Sequence, residues 1–114
     1  GSGGHFITAG QINGVAVRFL LDTGATKVSM SAAEATRIGL DYKSGEPVWM
    51  STANGPTRGF HVHLDRVRIG DVEVFNVEAI VAAAEMPFVL LGNSFLTHFQ
   101  MKRENDLLTL DKRF

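Results

Sequence analysis

The chain has 114 residues, enough for one domain with a small core, and 45% apolar against 20% charged residues is an ordinary globular composition. A net charge of -1 offers no basic footprint for nucleic acid, and the absence of cysteine excludes disulfides and thiol catalysis. No apolar run approaches the roughly 18 to 20 residues of a membrane-spanning helix, and no signal peptide is recognisable. Gly1-Ser2-Gly3-Gly4, with no Met, reads as a cloning scar or linker before a domain over residues 5–114 cut from a longer protein.

Twelve glycines and many short Val, Ile and Phe runs point to strands joined by frequent turns. His5 to Ile12 is the first strand, Asn13-Gly14 the hairpin turn, and Val15 to Leu21 the returning strand, with Val15, Val17, Phe19 and Leu21 on one face. Lys27 to Met30 is short and extended. Ser31 with Glu34 three residues on is a capping box, which predicts a short helix from Ala32 to Ile38 closed by Gly39. Leu40 to Pro47 reads as a loop.

Val48 to Thr52 and Arg58 to Val62 flank Ala53-Asn54-Gly55-Pro56-Thr57, a long hairpin with a small, flexible tip. Strand pattern continues through Leu64, Val67 and Ile69 to a turn at Gly70-Asp71, and Val72 to Val81 holds one or two more strands. Phe88 to Leu91 is wholly apolar, the pattern of a strand buried on both faces, and Asn93 to Phe99 suits a short helix. Gln100 to Lys102 and Leu107 to Leu110 form a last strand pair. Ile12 to Val17 faintly repeats as Ile69 to Val74.

The chemistry concentrates at Leu20-Leu21-Asp22-Thr23-Gly24-Ala25-Thr26, where an apolar strand ends in a carboxylate, a hydroxyl and a glycine. A carboxyl set among apolar flanks is a candidate acid or base, and Gly24 lets the chain turn tightly. Together with the Asn54-Gly55 hairpin about thirty residues later and Val89-Leu90-Leu91-Gly92-Asn93-Ser94-Phe95-Leu96, this stretch resembles a retropepsin-type aspartic protease, most closely the bacterial, often membrane-tethered branch.

That resemblance implies an all-β fold: a closed, mostly antiparallel acid-protease barrel with one or two short helices. It implies an aspartic endopeptidase acting on protein or peptide substrates without metal or cofactor. Asp22 is the catalytic residue it implies, supported by Thr23, Gly24 and Ala25, with Thr52, Ala53, Asn54 and Gly55 in a flap. One Asp-Thr-Gly gives one carboxylate where the chemistry needs two, so a homodimer is implied, with Asp22 of a second copy completing the site. Val28, Trp49, Phe88 and Leu90 are the expected substrate-pocket residues. Thr26 and Asn93 stand where viral members carry an Asp and an Arg, and are expected to be neighbours. Ala25 replaces a Ser frequent in pepsin-like enzymes, which implies a less acidic pH optimum. Kinship with anchored bacterial relatives implies a tether facing the periplasm. A rival reading is a non-catalytic retropepsin-like module for peptide binding or dimerisation.

His61, His63 and Asp65 share one strand face at a spacing that can hold zinc, but a solvated face opposite buried Val62 and Leu64 is the more economical reading. Lys27 reads as solvated.

Overall fold

The computed structural model describes residues 6–22, 24–52, 54–104 and 107–112. Strand β1 (Phe6–Ile12) turns through Asn13 and Gly14, with φ of 51° and 84°, into β2 (Val15–Leu21), so that Ile12 faces Val15 across a two-residue loop. Both turn residues take the positive φ that a right-twisted hairpin demands. Val17, Phe19 and Leu21 are buried and Val15 half-buried, as the alternation of the strand requires.

After the loop that follows β2 come β3 (Val28–Ser31) and helix α1 (Ala32–Arg37). Ser31 Oγ accepts from the Glu34 N–H at 3.1 Å, and Gly39 leaves the helix at φ 76°. The carboxylate of Glu34 is gripped by Arg37, whose Nη2 also donates to the Ala16 carbonyl at 2.8 Å and ties the helix to β2. The expected loop from Leu40 to Pro47 contains a 3-10 turn at Tyr42–Ser44, and β4 (Glu46–Thr52) starts early enough to include Pro47. Among the described residues β4 pairs only with β5 (Gly55–Ile69), so Pro47 lies on an edge strand, where a proline is tolerated.

The hairpin tip is tighter than its sequence suggested. Thr52 already pairs with Gly55 and Ser51 with Pro56, so β5 begins at Gly55, whose φ is 100°. β5 runs fifteen residues and serves three neighbours: β4, β6 (Val72–Ala82) and the end of β1. β6 is one strand, with a gap in its ladder opposite Asp65 where Asn76 has φ 55°. β7 (Val89–Leu91), α2 (Asn93–Leu96) and a separate hairpin of β8 (Phe99–Glu104) with β9 (Leu107–Lys112) complete the chain.

The main sheet runs β1-β2-β7-β3-β6-β5-β4, and β1 also pairs with β5 through Gln11–Arg68 and Ile12–Val67. That last pairing closes six strands into a mixed, mostly antiparallel barrel and leaves β4 outside it. Asn13 extends the seam, its N–H donating to the Arg66 carbonyl and its Oδ1 accepting from the Arg66 N–H, each at 3.0 Å. Phe19, Phe95, Ile12, Met30, Leu64 and Leu91 fill the interior.

The faint repeat has a structural counterpart. β2 pairs parallel with β7 as β3 pairs parallel with β6, while β3 and β7 meet antiparallel at Ser29–Leu90. The two halves thus interlock, each lending a short strand to the other. One consequence positions the site: β7 lies between β2 and β3, so the chain from Leu21 to Val28 must arch over its end.

Candidate active site

That arch carries Asp22. The Asp22 N–H donates to the Leu91 carbonyl at 3.1 Å, which anchors the start of the loop to β7. The Ala25 N–H returns to the Asp22 carbonyl at 3.1 Å, closing a turn, and the Gly24 N–H donates to Asp22 Oδ1 at 2.9 Å. Asp22 is half-buried, and that bond orients its carboxylate.

The far side of the loop rests on the start of α2. The Asn93 N–H donates to the Ala25 carbonyl at 2.9 Å and the Ser94 N–H to the Thr26 carbonyl at 2.7 Å. These bonds set the Ala25-Thr26 and Asn93-Ser94 segments side by side, the neighbourhood expected for Thr26 and Asn93. Ser94 does more than its place in the motif suggested: its Oγ accepts from the Val28 N–H at 3.3 Å and donates to the Glu78 carbonyl at 3.0 Å. One hydroxyl therefore joins β3, β6 and α2. Gly92 is buried where a Cβ would stand 2.5 Å from the Lys27 oxygen and 2.8 Å from the Ala25 oxygen. The loop approaches β7 so closely that only a glycine fits.

Beside the loop lies a cavity of about 630 Å³ lined by Ala25, Thr26 and Lys27 and by Trp49, Met50, Ser51 and Asn54 of the β4–β5 hairpin; Asp22 itself stands outside this lining. Leu90 and Ile80 line its side. Trp49 is 71% exposed, with the guanidinium of its cross-strand partner Arg58 5.6 Å from its ring centroid.

Of the four expected pocket residues, Trp49 and Leu90 line this cavity. Leu90 is half-buried rather than buried on both faces, because its outer side meets the cavity. Val28 has no exposed surface and packs in the core, since β3 turns it inward between β6 and β7. Phe88 lies on another cavity, of about 610 Å³, between α1 and the segment before β7. Lys27, half-buried, also lines the cavity. Thr23 and Ala53 lie outside the described residues; Gly24 is exposed and Gly55 half-buried. Met50 and Ile80 carried no sequence signal that set them apart from other strand residues.

Residues 8–98 match the family model described as "gag-polyprotein putative aspartyl protease". The chain belongs to this aspartyl protease family. It is similar to a retropepsin-like aspartic protease of Rickettsia conorii, with TM-score 0.78 and 30% identity over 95% of this chain and 91% of that one. EIAV protease, solved with an inhibitor, shares the fold at TM-score 0.69 and 20% identity over 84% of this chain and 88% of that one. An uncharacterized protein in the cobV 5′ region of a Sinorhizobium species is 36% identical over 86% of this chain, and one of Rickettsia prowazekii 33% identical over 95%. The chain spans 43% and 47% of the lengths of those two relatives. The retropepsin-like barrel implied by the sequence is thus the fold of this aspartyl protease domain.

Proposed function

We propose that this chain is an aspartic endopeptidase active as a homodimer, with Asp22 of each copy facing the other across a two-fold axis. The observation that carries the reading is a cavity lined both by Ala25, Thr26 and Lys27, which follow Asp22 in its loop, and by Trp49, Met50 and Asn54 of the β4–β5 hairpin. An extended peptide laid there adds backbone hydrogen bonds and places alternate side chains against opposite walls. A monomer supplies one carboxylate, whereas acid–base cleavage of a peptide bond by water takes two.

Two carboxyls about 3 Å apart cannot both ionise, so the pair holds one shared proton. The ionised member takes a proton from water, whose oxygen attacks the peptide carbonyl carbon. The neutral member donates to the developing oxyanion, and the proton just gained passes to the leaving nitrogen as the tetrahedral species collapses. Thr23 holds the paired loops together, Gly24 offers its carbonyl to substrate backbone, and Ala25 leaves room for it. Thr52, Ala53, Asn54 and Gly55 close over the peptide as a flap.

The bacterial relatives are about twice as long as this chain, which supports a catalytic domain carried by a larger bacterial protein. No helix among the described residues is long and apolar enough to cross a membrane; the periplasm-facing tether belongs to the same proposal and rests on kinship alone.

Incubating a peptide library with wild type and Asp22→Asn, with products read by mass spectrometry, tests the activity. Cleavage by wild type and none by the variant is expected. No cleavage from a confirmed dimer would overturn the enzyme reading in favour of a peptide-binding module.

A further inference from the structure

We propose that His61, His63 and Glu78 form a binding site for a divalent transition-metal cation of zinc-like chemistry, separate from the Asp22 loop. The sequence offered Asp65 as the carboxylate partner of the two histidines. The β5–β6 register instead sets His63 directly opposite Glu78 and His61 opposite Ile80, so Glu78 shares the outer face with the two imidazoles. Buried Val62, Leu64 and Val77 occupy the inner face of the same ladder.

One potential ligand atom from each of the three side chains lies within 4.8 Å of the others. His61 Nε2 and Glu78 Oε1 are already 3.1 Å apart, and the two imidazoles meet edge to face with centroids at 5.2 Å. Ligands about 2.0–2.1 Å from a tetrahedral ion stand roughly 3.3 Å from one another. The hydrogen-bonded His61–Glu78 pair is close to that spacing, so a cation taking the place of the shared hydrogen, with a rotation of the exposed His63 ring, would have three protein ligands. Two nitrogens and one carboxylate oxygen are the donor set of zinc-like ions; magnesium and calcium favour oxygen throughout. The fourth position faces solvent and suits a water.

The backbone beneath is held independently of any ion, because the Glu78 carbonyl accepts from Ser94 Oγ. The ladder gap at Asp65 and Asn76 lies just beyond Leu64–Val77. A cation bridging His61 and His63 of β5 to Glu78 of β6 would clamp the two strands beside that gap, and would stabilise the folded domain by mass action.

The test is calorimetric titration and thermal melting of chelator-treated protein with zinc chloride near neutral pH, with magnesium chloride as control. Wild type and Asp22→Asn are both expected to bind one zinc per chain and to melt higher with zinc but not magnesium. His63→Ala and Glu78→Gln, exposed changes that leave the fold intact, are expected to weaken zinc binding about tenfold or more and to lose the melting shift. Absence of saturable zinc binding by wild type would overturn the proposal. So would binding that survives in His61→Ala/His63→Ala, or that disappears in Asp22→Asn.

Discussion

The Ser94 N–H donates to the Thr26 carbonyl at 2.7 Å, and its hydroxyl bridges Val28 and Glu78. Residues 68 positions apart in the chain are thus joined where the Asp22 loop ends. The loop owes its shape to the second half of the barrel as well as to its own internal turn. Replacing Ser94 by Ala removes both hydroxyl bonds and leaves the Val28 N–H and Glu78 carbonyl short of a partner. A loss of about 1–3 kcal/mol in denaturant unfolding is expected, together with reduced peptide cleavage.

Gly92→Ala has a larger effect. Its φ of -93° suits any residue, so the cost is purely one of space. The new methyl meets the Ala25 and Lys27 carbonyl oxygens, which are backbone atoms with little freedom to retreat. About 2–4 kcal/mol of destabilisation is expected. Cleavage should fall more steeply than the folded fraction, because displacement of Ala25 misaligns Asp22.

Trp49→Ala separates binding from folding. The indole is largely exposed on the cavity wall, so melting should move little while KM for a cleaved peptide rises roughly three- to tenfold. An unchanged KM would remove Trp49 from the substrate site.

Glu34 links α1 to stability through pH. Hydrogen bonds from Arg37, opposed by partial burial and aided by the guanidinium charge, hold the Glu34 carboxyl below its ordinary pKa of 4.5. A lowered folded-state value means the ionised form favours the fold. That contribution is complete above the unfolded pKa and is lost as pH falls through the folded one. Wild type should therefore melt above Glu34→Gln at neutral pH and converge with it in acid. A constant gap across the range would contradict the assignment.

Much of this was legible locally. Asn13-Gly14 marks its own turn and Ser31 its own cap, because those signals act over two to four residues. What escaped depends on register between distant strands. Val28 and Phe88 look like pocket residues from their nearness to the motifs, yet β3 turns one into the core and the other lies on a different cavity. Leu90 looked buried on both faces because an apolar run does not reveal that one face meets a cleft. Sequence spacing points to Asp65 rather than Glu78, because only the β5–β6 ladder decides which carboxylate faces His63. The hairpin tip is shorter than its composition implies, because Gly55 and Pro56 are turn residues that the ladder nevertheless pairs.

The central claim is that one site needs Asp22 from two chains. Its most direct measurement is peptide cleavage by a fixed amount of wild type mixed with increasing Asp22→Asn, after subunit exchange. If both carboxylates are required, mixed dimers are inactive, and an equal amount of variant should cut the rate to roughly half. Wild-type activity that is indifferent to added variant, with exchange confirmed, would show that a single Asp22 suffices and would contradict the shared site.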